Sequence, residues 1–220
     1  MGIGKMPAFE TIEEKLYSGV LSDILDEMGL RRQVMSGDIR PVYPEAVVAG
    51  RAATALSADV YDPEEDTLDA EIEAVDALKK GEVLLATTNG STRAALWGEL
   101  LSTASRAREA RGAIIDGLTR DVRQIVEMRF PVFASGIRPI SFKGRCRIID
   151  HGCRIECGGV LVNPGDLVFG DVDGVVVIPS SVAEEAVSRA LDVVEKENLT
   201  REELRRGAFL KDVYEKYGAL

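Results

Sequence analysis

The apolar positions along this chain change period several times, and each change marks an element. Ile24, Leu25 and Met28 fall on one helical face, with Ser22 as a candidate N-cap, Leu21 packing back as a staple and Gly29 as the stop; this predicts a small N-terminal helix. Val47 to Ala58 is a run of apolar and small residues that reads as a buried strand. Leu68, Ile72, Val75 and Leu78 recur at helical spacing up to Gly81, and Glu82 to Thr87 is then a strand of continuous apolar character ending in Asn89-Gly90. Beyond Gly98, Leu100, Leu101, Ala104, Ala107 and Ala110 form a stripe with Ser102, Arg106 and Glu109 between them, which predicts an amphipathic helix ending at Arg111-Gly112. Ala113-Ile114-Ile115 is a short buried strand, followed by a helix over Gln124 to Arg129 and a strand over Val132 to Ala134. The order strand, helix, strand, helix, strand predicts a right-handed α/β core.

From Ser141 the character changes. Arg145 to Ile149, Arg154 to Cys157, Val160 to Val162, Leu167 to Phe169 and Val175 to Ile178 read as short strands, separated by the turn chemistry of Gly158-Gly159, Asn163-Pro164-Gly165-Asp166 and Asp173-Gly174. Ser181-Val182-Ala183-Glu184 is a capping box opening a helix with Val187, Ala190, Leu191 and Val194 on one face, and Thr200-Arg201-Glu202-Glu203 is another. Two C-terminal helices are therefore expected. The second carries Leu204, Phe209 and Tyr214 among many charges, which suits packing on a neighbouring subunit or along the surface.

With 220 residues, 45% of them apolar, and no linker-like stretch, the chain is expected to form a single domain over residues 1–220 with a full core. The net charge of −10 argues against a nucleic-acid partner, which needs clustered Lys and Arg, but leaves room for a basic protein. There is no run of eighteen apolar residues, and Met1 to Pro7 lacks the hydrophobic segment of a signal peptide, so no membrane association and a cytoplasmic location are expected. Cys146, Cys153 and Cys157 are too few for a disulfide framework, which agrees with a reducing compartment. With His151 they offer zinc-type ligands, but no CxxC is present and Cys146 does not share strand parity with the other two. Small buried hydrophobes are the better account of these cysteines. Asp166, Asp171 and Asp173 sit in Pro/Gly turns and are expected to shape loops.

The stretch Trp97 to Asp121 gathers the candidate chemistry. About twelve helical residues rise roughly 18 Å and about five strand residues return roughly 16 Å, so the strand's end comes back beside the helix's start. That brings Asp116-Gly117-Leu118-Thr119-Arg120-Asp121 near the free amides of Gly98 to Leu101, which suit a carboxylate or phosphate. Each residue also has a plainer account. Glu99 favours the positive end of the helix dipole, Arg120 forms a surface ion pair, and Asp121 caps the helix over Gln124.

Gly98-Glu99-Leu100-Leu101, followed after twenty residues by Arg120-Asp121, resembles the acid-x20-Arg-Asp signature of the RraA-like family, which includes metal-dependent 4-hydroxy-4-methyl-2-oxoglutarate aldolases. The likeness continues in Ser22-Asp23-Ile24-Leu25-Asp26, Pro164-Gly165-Asp166 and Gly170 to Pro179, covering roughly residues 18 to 215. The resemblance implies a layered α/β/β sandwich of the swivelling, phosphohistidine-domain-like type with C-terminal helices. It implies a site in which Asp121 holds Mg²⁺ or Mn²⁺ largely through waters. The amides of Leu100 and Leu101, with Gly98, receive the carboxylate of a 2-oxo acid. Arg120 reaches its keto oxygen and carboxylate, and Glu99, where characterised aldolases commonly have Asp, orients Arg120 or a metal-bound water. It further implies a homotrimer or a hexamer built as a dimer of trimers, with a C-terminal acidic residue of a neighbour near the metal; Glu195, Glu197, Glu202 and Glu203 are the candidates.

The implied reaction cleaves a 4-hydroxy-2-oxo acid such as 4-hydroxy-4-methyl-2-oxoglutarate, leaving pyruvate as an enolate, and the same chemistry permits oxaloacetate decarboxylation. A Schiff base would need a buried lysine of depressed pKa, whereas the lysines here lie mostly at charged helix ends or termini; the oxygen ligands suit a hard cation instead. Two other classes compete. RraA itself is a protein inhibitor of ribonuclease E, a role an acidic trimer could fill without catalysis. Some relatives carry a menaquinone methyltransferase label, but that would need a Gly-rich nucleotide loop after a strand, which this sequence lacks.

Overall fold

The computed structural model describes residues 6–62 and 68–218; Met1 to Lys5, part of the segment read for a leader, lie outside the described residues. The chain begins with helices α1 (Phe9–Lys15) and α2 (Ser18–Glu27), followed by a two-residue strand β1 (Arg40–Pro41) and the long β2 (Val48–Asp59). Then come α3 (Asp69–Asp76), β3 (Glu82–Thr87), β4 (Ala95–Trp97), α4 (Glu99–Ala107), β5 (Gly112–Thr119), α5 (Val122–Met128) and β6 (Val132–Ile137). Strands β7 (Cys146–His151), β8 (Ile155–Cys157), β9 (Val160–Val162), β10 (Leu167–Asp171) and β11 (Gly174–Ile178) precede the closing helices α6 (Ala183–Arg205) and α7 (Leu210–Tyr217).

One sheet takes in nine of these strands, in the order β1-β6-β5-β3-β2-β10-β11, with β4 paired to β5 and β7 to β2. Pairs β2·β3, β3·β5, β4·β5 and β5·β6 are parallel, as helical crossovers require. Strand β2 is long enough to bond β10 along Val48–Arg51 and β7 along Ala55–Asp59. The strands after Ser141 join the same sheet: β7, β10 and β11 extend it, while β8 and β9 form a two-stranded sheet of their own.

The segment Gln33 to Pro41 nearly closes this sheet. Val34 and Met35 bond β11, and Arg40-Pro41 then bond Phe133-Ala134 of β6. The strands alternate between two covered faces, which explains their continuous apolar runs. Val83, Leu85, Ile114, Phe133, Val168, Val175 and Val177 point inward, where the β8–β9 hairpin plugs the interior with Ile155, Cys157, Val160 and Val162. Leu84, Ile115, Val132 and Trp97 point outward beneath α3, α4 and α5. Leu167, Phe169, Val176 and Ile178 point outward beneath α1, α2 and α6. Each such side chain, fully buried, contributes about 1.5–3 kcal/mol.

Several helix boundaries differ from the sequence expectation, and the reasons are tertiary. Helix α2 starts at Ser18, not after Ser22, because Asp171 of β10 accepts bonds from the Ser18 amide (2.8 Å) and hydroxyl (2.7 Å). Ser181 is not a cap: α6 begins after Val182, whose amide closes a turn onto Pro179. Thr200 opens no new helix, since it lies buried within the 23 residues of α6. No Gly or Pro interrupts that helix before Gly207, at φ +91°. Helix α4 ends at Ala107, four residues early, because Glu109 turns to φ +58° and the Ala110 amide folds back to Ser105. Its buried face is Ser102 and Ser105, while Leu100 stands 77% exposed. Asp166 and Asp171 do shape loops. Asp166 is buried and accepts from the Asn163 and Ser180 amides (2.8 and 2.9 Å), and Asp171 also accepts from the Asp173 amide (2.9 Å).

Candidate active site at the ends of β4 and β5

Strands β4 and β5 run parallel and end side by side, with the Arg120 amide bonded to the Trp97 carbonyl (2.9 Å). One residue after β4 the chain reaches Gly98, the N-cap of α4, and two residues after β5 it reaches Asp121. Trp97 anchors this corner. Its buried indole N–H donates to Ser102 Oγ (2.8 Å), which itself donates to the Gly98 carbonyl (2.9 Å). The first turn of α4 is thus held in place by its own buried side.

Asp121 adopts a left-handed conformation, φ +58° and ψ +32°, which Asp tolerates better than most residues. It occupies the N-cap position of α5, and its carbonyl receives the Gln124 amide (3.1 Å), but its side chain makes no cap bond there. The carboxylate crosses instead to α4, where Oδ2 accepts from the Glu99 amide at 3.3 Å and lies 3.6 Å from Arg120 Nε. A methyl group at Gly98 would sit 2.7 Å from that oxygen, so only glycine lets the carboxylate approach. The amides of Leu100 and Leu101 bond no described residue. They point outward at the positive end of the helix, beside a guanidinium whose side chain is 41% exposed.

The structure therefore brings Gly98, Glu99, Leu100, Leu101, Arg120 and Asp121 together. Glu99 Oε1 accepts from Thr103 Oγ1 (2.7 Å) one turn along its own helix. Asp116 does not join them. A register shift between Ile115 and Leu118, with Gly117 at φ +159°, turns Asp116 away to accept from Thr87 Oγ1 (3.1 Å) and the Gly158 amide (3.0 Å). A residue the sequence reading missed is Glu71 of α3. It lines a small apolar recess with Trp97 and Leu101, and burial pushes its carboxyl up to about 7 despite the opposing charge of Arg120. Its place on a helix otherwise rich in acids hid it.

The oxygen donor offered by Asp121 is of the type a hard divalent cation takes. Asp121 keeps a carboxylate oxygen free and is 40% exposed, which suits Mg²⁺ or Mn²⁺ bound through one carboxylate and waters. Among the described residues no three His, Cys, Asp or Glu side chains gather to hold a metal. Cys146 and Cys157 are buried thiols whose pKa burial raises, and His151 is exposed. Every described lysine is exposed. Lys80 and Lys216 are held above the usual ammonium value by the hydrogen bonds they donate to Glu109 and Glu203, the opposite of an activated amine. Of the acids considered for a neighbour's metal, Glu197 contacts Tyr17 and Arg201, Glu203 holds Lys216 and Tyr217, and Glu202 pairs with Arg206.

Residues 19–177 match the family model described as RraA-like: Aldolase/RraA. Protein DlpA of Legionella pneumophila is 30% identical over 91% of this chain, and the chain spans only 32% of that protein's length. A protein of Halalkalibacterium halodurans named "Putative 4-hydroxy-4-methyl-2-oxoglutarate aldolase" is 31% identical over 77% of this chain and 76% of its own. Among solved structures, Streptomyces coelicolor RraAS2, described as an unusual member of the RNase ES inhibitor RraA protein family, superposes with a TM-score of 0.80. It shares 26% identity over 89% of this chain and 96% of that one. The nearly closed mixed sheet with C-terminal helices is the fold of these proteins. Among the described residues no helix is long and apolar enough to cross a membrane.

Proposed function

The chain belongs to the RraA-like family, and we propose that it acts there as a divalent-metal-dependent carbon–carbon lyase that cleaves 4-hydroxy-2-oxo acids to pyruvate and also decarboxylates oxaloacetate. The observation that carries this reading is the pair of unbonded amides at Leu100 and Leu101 in the first turn of α4, next to the Glu99 amide that bonds Asp121 beside Arg120. Those amides take the substrate carboxylate at the positive end of α4. Arg120 reaches across with a planar fork that stays charged, binding the carboxylate and the oxygen that becomes the enolate. Asp121, with waters completing the shell, would hold Mg²⁺ or Mn²⁺, which would supply Lewis acidity to the reaction. Glu99, freed from Thr103, would orient the water through which the C4 hydroxyl proton passes to its carboxylate.

The assembly proposed is a trimer or a dimer of trimers. Phe209, Leu210 and Tyr214 stand 50% or more exposed along α7, and Leu100 stands exposed at the site's rim. A second copy would cover such apolar surface. Light scattering that returned a monomer at micromolar concentration would remove this part of the reading.

The test is pyruvate release from a panel of 4-hydroxy-2-oxo acids and carbon dioxide release from oxaloacetate. Activity is expected to vanish with a chelator, return with Mg²⁺ or Mn²⁺, and leave no protein adduct after borohydride with pyruvate. A reduced adduct on any lysine would overturn the metal route. A second reading, protein binding without catalysis, draws on the likeness to RraAS2; it gains if the metal-loaded protein turns over none of the panel.

A further inference from the structure

Two serines lie on the buried face of α4, and they are used differently. Ser105 Oγ is buried and meets no hydrogen-bond partner among the described residues. Ser102 Oγ accepts from the Trp97 indole (2.8 Å) and donates to the Gly98 carbonyl (2.9 Å). Alanine would suit a buried helical face better than serine, whose hydroxyl is costly to bury and competes with the helix backbone. At Ser105 no bond offsets that cost. At Ser102 two bonds do, and what they hold is part of the candidate site.

The Gly98 carbonyl receives both the hydroxyl and the amide (3.1 Å) of Ser102. In a planar trans peptide the C=O and N–H point in opposite directions, so a carbonyl fixed along the helix aims the Glu99 N–H outward, where it meets Asp121 Oδ2 at 3.3 Å. The amides of Leu100 and Leu101 follow in the same turn and point the same way. One peptide earlier, the Trp97 carbonyl takes the Arg120 amide (2.9 Å) and the buried Thr119 hydroxyl (3.2 Å). Trp97 therefore ties the end of β5 with its backbone and the first turn of α4 with its side chain. Between these two ties lies Gly98. It must be glycine because a methyl group would strike Asp121, and the same lack of Cβ makes it the residue of the corner that turns most freely.

We propose that Ser102, oriented by the Trp97 indole, is the positioning residue of this corner. Its hydroxyl locks the Gly98–Glu99 peptide, so that the Leu100 and Leu101 amides face a ligand carboxylate and the Glu99 amide steadies Asp121. Ser102 itself touches neither ligand nor cation. Without it the glycine is free to turn the peptide plane, and the amides and Asp121 lose their common aim. For its effect on binding and turnover the inference rests on the proposed lyase reading; the locking of the peptide plane does not.

The test compares Ser102→Ala with Ser105→Ala, which removes the same group from the same buried face. In Ser102→Ala the heteronuclear NOE of the Gly98, Glu99 and Leu100 amides is expected to fall toward the values of a mobile loop, and in Ser105→Ala to stay at those of wild type. By calorimetry with Mg²⁺ present, pyruvate should bind Ser102→Ala roughly tenfold more weakly, about the worth of one hydrogen bond. In the metal-loaded enzyme kcat/KM should fall on the order of 10²-fold, as misplaced binding groups cause. Ser102→Thr keeps a hydroxyl able to bond the same carbonyl and should recover most of both losses. Trp97→Phe keeps the ring but not the donor. It should share the losses, and the double variant with Ser102→Ala should lose no more than Ser102→Ala alone, since the two groups act in series. Backbone order and pyruvate affinity equal to wild type in a folded Ser102→Ala protein overturn the inference, as do losses that Ser105→Ala shares or that add in the double variant. If wild-type protein binds neither Mg²⁺ nor pyruvate, the proposed reaction falls, and the backbone order at Gly98 to Leu100 alone decides the locking.

Discussion

Helices α2 and α4 begin in the same way, each meeting an aspartate carboxylate brought from a distant part of the chain, yet only one of the two starts is a candidate site. At α2, Asp171 is buried and accepts the Ser18 amide, the Ser18 hydroxyl and the Asp173 amide, all between 2.7 and 2.9 Å. At α4, Asp121 is 40% exposed and touches the helix through one longer bond of 3.3 Å, leaving the next two amides unbonded. The first carboxylate has spent its acceptor capacity on the fold. The second retains it, next to a cation and open to solvent. The electrostatic device is common to both; saturation and burial separate a structural cap from a place where a ligand can be held.

The largest expected effect tests the open end. Arg120→Ala removes a donor that acts on charge developing in the reaction, so kcat should fall on the order of 10²- to 10³-fold while KM rises. Folding should move little, because the side chain is 41% exposed. Retention of wild-type kcat with both substrate types in a folded Arg120→Ala protein would favour the binding-protein reading.

A paired exchange breaks the comparison most directly. Asp171→Ala should cost about 3 kcal/mol in urea unfolding, since it strands buried donors that had a charged acceptor. Asp121→Ala should cost about 1 kcal/mol or less, as loss of an exposed cap does, while abolishing metal-dependent turnover. Equal stability losses in the two variants would show that the two helix starts do not differ as their geometry implies.

The smallest effect sharpens it. Gly98→Ala keeps the extended backbone at that position but forces a methyl group within 2.7 Å of Asp121 Oδ2. The carboxylate must withdraw, and apparent Mg²⁺ affinity should weaken roughly tenfold, equivalent to about 1.4 kcal/mol. Titration of activity or of heat against Mg²⁺ measures this, and an unchanged affinity would detach Asp121 from the metal.

Much of this molecule was legible in the amino-acid pattern because the forces involved act within a few residues. The runs at Glu82–Thr87 and Val175–Ile178 contain side chains for two opposite faces, and a strand covered on both sides is what such a run becomes. Gly29, Gly81 and Gly90 mark chain reversals because each takes a positive φ. The distance from Gly98 to Arg120 constrained helix and strand to return to one place, even though the helix proved shorter and the strand longer than their apolar stripes suggested. What lay beyond reading were interactions between residues far apart in the chain. Ser18 became a helix start because Asp171, 153 residues later, supplied its acceptor, so the nearer Ser22 lost the role that its local sequence promised. Asp116 left the site because a bulge shifted strand phase by its pairing with β6, and Glu71 became a half-buried acid because α3 laid it against Trp97 and Leu101. Local composition determines which segments become helix, strand or turn; packing decides which polar groups are satisfied by the fold and which are left open to a ligand.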